Sequence, residues 1–185
     1  MLTATIEELR GADAASRSET RSTSPPAEPP GPPPIVGTFA PLADCTATVP
    51  TEEPPNGQLG DDDLCSIGAG HRLRADAAAT YVAMDAAYAA TFGEPMCITD
   101  SYRSYGAQQS LSWRKPSLAA VPGTSNHGWG LAVDVFCGIE DYSSAQHAWL
   151  DEHGVEFGWF NPEWAQADGN RPEPWHWEFD PSLLG

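Results

Sequence analysis

Proline decides where this chain can fold. Eleven of its 18 prolines lie within the first 60 of 185 residues. The run Ser24-Pro25-Pro26-Ala27-Glu28-Pro29-Pro30-Gly31-Pro32-Pro33-Pro34 forms neither helix nor interior strand, because proline lacks an N–H donor and fixes φ. A stiff polyproline-type linker is expected there. Upstream, Met1 to Thr23 has too little aliphatic weight to bury a core. Residues 1–40 are therefore expected to be a disordered, proline-rich segment, and residues 41–185 the folded domain. The continuous apolar run of a signal peptide is missing. No stretch approaches the ~20 apolar residues of a membrane span. Either a secretion signal lies outside this sequence, or the chain is part of a larger protein, or its start is misassigned.

Beyond Cys45 the pattern changes. Leu73, Ala77, Tyr81, Met84, Tyr88 and Phe92 recur at three- and four-residue steps, predicting a helix over Arg72 to Phe92 that ends at Gly93 and Pro95. Met96 to Thr99 reads as a strand, Tyr105 to Trp113 as a helix, and Leu131 to Phe136 as a strand. Ser144 to His153 reads as a helix closed by Gly154, and Trp175 to Phe179 as an alternating strand. Interleaved helices and strands make the class α+β.

Twenty-six acids against nine bases give a net charge of −17. That disfavours nucleic acid and anionic lipid, both of which need clustered cations. A monomer is expected. The four cysteines allow three pairings. Cys45–Cys65 would close a turn-rich loop and Cys97–Cys137 would tie two strands together, as suits a secreted protein. Buried free thiols are the alternative.

Two segments carry the chemistry: Gly123-Thr124-Ser125-Asn126-His127-Gly128-Trp129-Gly130-Leu131-Ala132-Val133-Asp134 and Glu173-Pro174-Trp175-His176-Trp177-Glu178. Strand alternation puts Leu131, Val133 and Val135 on one face and Ala132, Asp134 and Phe136 on the other. A carboxylate among apolar neighbours needs a strong partner, and a metal ion is one. Gly128 and Gly130 let the chain turn so that His127 comes back toward Asp134. In the second segment Trp175, Trp177 and Phe179 alternate with His176 and Glu178. His127, Asp134 and His176 together form an N/O set that leaves one position open on a tetrahedral zinc. Such a site lowers the pKa of a bound water toward ~7. Glu173 is then the spare carboxylate, a general base, provided a local irregularity turns it inward. Glu178 is a candidate partner for a ligand histidine. His71, His147 and His153 read as structural histidines. Trp149, Trp159, Phe160 and Trp164 read as core or cleft wall, and Trp129 and Trp177 as packing or groove-shaping residues.

The pattern Ser125-x-His127-x-x-Gly130-x-Ala132-x-Asp134, followed by Glu173-x-Trp175-His176, resembles the zinc D-Ala-D-Ala carboxypeptidases of the VanY type within peptidase family M15. Ser101-Tyr102-Arg103-Ser104-Tyr105 with Gln108 is similar to a third block of that family. The resemblance covers about residues 65–180. It implies a hedgehog/D-Ala-D-Ala-peptidase-like domain with a central antiparallel sheet packed by helices. It implies zinc on His127, Asp134 and His176, a catalytic base at Glu173, and Arg103 binding substrate or the oxyanion. Ser125 and Gln108 would contact the substrate, a peptidoglycan stem peptide, outside the cell or at its wall. The same motifs suit an L-Ala-D-Glu endopeptidase, and a non-catalytic wall-peptide or zinc module is the third possibility.

Overall fold

The structure is a computed structural model describing residues 39–185 apart from 117 and 118. The proline-rich run lies outside the described residues. Phe39 packs on the domain, its ring 5.9 Å from that of Phe157.

Among the described residues there are six strands and three α-helices: β1 (Leu64–Gly68), β2 (His71–Arg74), α1 (Ala75–Phe92), β3 (Cys97–Asp100), α2 (Tyr105–Arg114), β4 (Ala132–Phe136), α3 (Ala145–His153), β5 (Trp159–Phe160) and β6 (His176–Phe179). β1 and β2 form an antiparallel hairpin, and the other four strands form an antiparallel sheet in the order β3-β4-β6-β5. The class is α+β, with helices packed on an antiparallel sheet.

The helix expected from Arg72 begins three residues later. Arg72, Leu73 and Arg74 pair instead with Ser66, Cys65 and Leu64. The hairpin turn runs through Gly68, Ala69 and Gly70, all at positive φ, and Leu73 is buried whether read at a period of two or of 3.6. α1 then starts where Ala75 N donates to Asp63 O at 3.1 Å. It ends at Gly93, whose left-handed φ of 85° returns its N–H to Ala89 O. Ser144 caps α3 by accepting from His147 N.

One core cluster fills the space between α1, α3, the hairpin and one face of the large sheet. Tyr81 and Met84 of α1, Leu150 of α3, Val133 and Val135 of β4, and Trp159 and Trp177 are all fully buried in it. Both expected disulfides are present: Cys45–Cys65 ties the entering chain to β1, and Cys97–Cys137 ties the start of β3 to the end of β4. Trp175 departs from the expected alternation. It precedes β6 and stacks on Phe136, ring centroids 5.9 Å apart, while Trp177 and Phe179 keep the core face.

Candidate metal and catalytic site

The site forms on the other face of the sheet. β4 and β6 pair so that Asp134 stands opposite His176, and Ala132 opposite Glu178. His127 arrives from a 3-10 turn, Asn126–Trp129, that is capped by Gly130 at φ 64°. Gly130 makes the turn, whereas Gly128 makes room. A Cβ at Gly128 would lie 2.0 Å from Asn56 Oδ1 and 2.4 Å from Gln108 Nε2, so only glycine permits this approach.

The donor atoms converge. His127 Nε2 lies 3.3 Å from Asp134 Oδ1, and His176 Nδ1 lies 3.0 Å from the same oxygen. One ligand atom from each of the three residues falls within 4.8 Å of the others. The far nitrogen of each imidazole is also held. His127 Nδ1 donates to Ser101 O at 2.8 Å. A carbonyl only accepts, so Nδ1 keeps the proton and Nε2 presents its lone pair to the site. His176 Nε2 lies 2.9 Å from Glu178 Oε1. Orientation of ligand histidines by a carbonyl and a carboxylate is the usual outer support of a metal centre. Two imidazoles and one carboxylate at this spacing fit a zinc ion with one coordination position left over.

The electrostatics agree. Burial alone would raise the Asp134 carboxyl, but the His127 and His176 imidazoles beside it outweigh that and hold the group well below the usual carboxylate range. Burial alone would lower His176, but the Asp134 and Glu178 carboxylates on its two nitrogens lift it to about 9. A cation is wanted here, a proton on Nδ1 or a metal ion in its place.

Glu173 does turn inward. His176 N donates to Glu173 O at 3.1 Å, closing a four-residue turn with Pro174 in its second position. Asn161 Nδ2 fixes the turn from outside, donating to Glu173 O at 3.2 Å and His176 O at 2.8 Å. The Glu173 side chain lines a cavity of about 590 Å3 together with His127, Asp134, His176, Arg103 and Ser125. Its carboxyl is raised, chiefly by burial and also by the Asp134 charge, against the lowering effect of His176, Arg171 and His127. Arg103 is aimed by Asp100, which accepts from its Nε at 3.1 Å and its Nη2 at 2.6 Å. Arg103 N also donates to His127 O at 2.9 Å, so the guanidinium and the imidazole share one frame.

Gln108, expected to contact the substrate, is buried and lies outside the cavity lining, with its amide engaged internally. Nε2 donates to Asn56 Oδ1 at 2.9 Å and Arg103 O at 3.1 Å, while Oε1 accepts from Gly123 N at 2.8 Å. These bonds brace the loops that carry Arg103 and His127. Sequence reasoning missed Asp100, Asn56 and Asn161. Asp100 has a readable signal, three residues before Arg103 at a strand end. Asn56 has none, since it bonds to Ser125 O, 69 residues away. Trp164, a cleft-wall candidate, does line the cavity, with its ring 5.0 Å from that of His176. His71, His147 and His153 bond to Ser101, Ile139 and Glu156, outside the donor set.

Comparison with known proteins agrees with this geometry. The family model of VanY, D-alanyl-D-alanine carboxypeptidase, matches residues 70–182. A D-alanyl-D-alanine carboxypeptidase of Enterococcus faecalis (strain ATCC 700802 / V583) is 41% identical over 64 residues, covering 32% of this chain and only 24% of that relative. A solved vancomycin-resistance D,D-pentapeptidase VanY mutant in complex with Zn(II) is 27% identical with a TM-score of 0.52, covering 63% of this chain and 77% of that one. VanYB in complex with D-alanine-D-alanine is likewise 27% identical, with a TM-score of 0.51 and coverage of 63% and 76%. A match across most of the folded domain, over a sheet face that carries the whole donor set, places this chain in the VanY family of D-alanyl-D-alanine carboxypeptidases.

Proposed function

We propose that this chain is a zinc-dependent D-alanyl-D-alanine carboxypeptidase that removes the terminal residue of peptidoglycan stem peptides, with residues 41–185 as its catalytic unit. The observation that carries the reading is the convergence of His127 Nε2, Asp134 Oδ1 and His176 Nδ1, with both imidazoles braced from behind and Glu173 beside them in one cavity. Zinc held by these three residues would supply a Lewis acid that polarises the scissile carbonyl and acidifies the attacking water.

Glu173 takes the proton of that water and passes it to the departing amine. Burial raises its carboxyl above the usual range, which favours accepting a proton. The Arg103 guanidinium, fixed by Asp100, offers its N–H groups to the oxyanion or to the terminal carboxylate. Ser125 lines the same cavity and is placed to bond the peptide. The VanYB complex with D-alanine-D-alanine supports the substrate class. Two disulfides suit work in an oxidising compartment outside the cytoplasm.

The test is Glu173→Gln on a peptide ending in D-Ala-D-Ala. Turnover should fall by about 10²–10⁴-fold while zinc uptake persists. Turnover held above roughly a hundredth of wild type would remove Glu173 as the base. Chelation should abolish activity, and added zinc should restore it. Digestion of purified sacculi followed by mass spectrometry separates the bond cut: free D-alanine supports the carboxypeptidase, whereas cleavage within the stem identifies an endopeptidase.

A further inference from the structure

The folded part of the chain is acidic, with fifteen Asp and Glu against six bases from residue 71 onward. Five of those six bases nonetheless gather at two adjoining recesses. Arg103, Lys115 and Arg171 line the catalytic cavity. Arg72, Arg103 and Arg114 line a side pocket of about 320 Å3. The two recesses share Asp100, Arg103 and Leu111. The sixth base, Arg74, is committed elsewhere, to Asp76, by two 2.8 Å bonds.

The side pocket thus holds three guanidinium groups and one carboxylate, and that carboxylate is engaged by Arg103. Arg72 reaches outward to Asp61, but the Asp61 side chain is 93% exposed, so water competes for the pair and holds it loosely. Arg114 donates Nε to Ser110 O at 3.3 Å, and no carboxylate among the described residues pairs with it. Like charges gathered in a recess repel unless an anion joins them. In a chain of overall charge −17, such a pocket is a local reversal of sign that focuses anions toward it. Guanidinium groups favour carboxylates through their fork geometry. None of His127, Asp134, His176 or Glu173 lines the side pocket, so its occupant is not the scissile bond.

We infer that the side pocket is an anion subsite in which Arg72 and Arg114 take a second carboxylate of an acidic peptide, distinct from the terminal one. Resting on the peptidase reading above, this makes the enzyme prefer chains that carry a free acid upstream over chains in which that acid is amidated.

Two synthetic peptides with the same D-Ala-D-Ala end, one bearing an upstream carboxylate and one its amide, test the inference. Binding is measured by calorimetry on the zinc-loaded full chain carrying Glu173→Gln, with and without Arg114→Gln. The free acid should bind about tenfold tighter than the amide, and Arg114→Gln should remove that advantage while leaving amide binding unchanged. The kcat/KM ratio of the two peptides on Glu173-intact protein should follow. Arg72→Gln serves as an independent second variant with the same expected loss. Equal binding of the two peptides, or an equal loss on both in either variant, overturns the subsite. Absence of cleavage by wild type overturns the peptidase reading instead, and the binding ratio still decides the subsite.

Discussion

The two faces of the four-stranded sheet are built from the same strands and differ in everything else. On one face Val133, Val135, Trp177 and Phe179 join a dry core. On the other, one residue along in register, Asp134, His176 and Glu178 form a chain of charged contacts of 2.9–3.0 Å. The first face stabilises by removing apolar surface from water. The second is buried but electrostatically poised, and is complete only with a cation. A two-residue period suffices to divide stability from chemistry between alternate residues of one strand.

Trp177→Ala attacks the core face and should give the largest loss of stability. The indole is fully buried, and its Nε1 donates to Pro174 O at 3.2 Å, inside the turn that presents Glu173. We expect a loss of about 3–5 kcal/mol in denaturant unfolding of the metal-free chain. A loss below about 1 kcal/mol would mean that the two faces are not energetically separate as described.

The site face should instead reveal itself through pH. In the chelated protein His176 lies above its ordinary 6.5, at about 9. Its contribution is therefore fully present below pH 6.5 and is lost as pH rises through 9. Asp134 lies below its ordinary 3.8, so its contribution is present above that pH and is lost on acidification. Stability of the metal-free chain should thus hold level between these two values and fall on the alkaline side by on the order of 2–3 kcal/mol. Urea titrations at pH 6 and pH 9.5 read this directly. An alkaline fall of the same size after His176→Gln would assign it to other groups.

The same contrast explains what was legible in the sequence. Strand alternation alone sorted Val133 and Val135 from Asp134, and Trp177 from His176, because period two is a local property. The glycines that follow His127 were legible too, as backbone signals, whereas the turn at Pro174 entered only as an unspecified irregularity. The start of α1 was not, since Leu73 satisfies helix and strand periods alike and only pairing with Cys65 decides between them. Gln108 was expected to contact the substrate only through the family resemblance, and no local pattern shows which way its amide turns. Its partner Asn56 is 52 residues away, and that distant bond directs the amide inward. Local pattern picks out the converging His127, Asp134 and His176; long-range pairing determines which neighbours brace them.

Glu178 offers the finest cut between the two faces, since it lies between Trp177 and Phe179 yet serves the opposite side. Its Oε1 accepts from His176 Nε2 at 2.9 Å, which fixes the ring and leaves Nδ1 facing Asp134 in the proposed zinc site. Removing that carboxylate without touching a ligand should weaken zinc by about 10–100-fold in a chelator competition, as loss of outer-shell partners does. Glu178→Leu should show the full effect. Glu178→Gln keeps an acceptor oxygen without the charge, so it should fall between Leu and wild type. Because Glu178 also helps raise His176, both variants should shrink the alkaline fall of the metal-free chain. A brace acting through His176 therefore moves zinc affinity and pH dependence together, whereas a residue that merely fills space would lower stability at every pH alike and leave the affinity within a factor of about two.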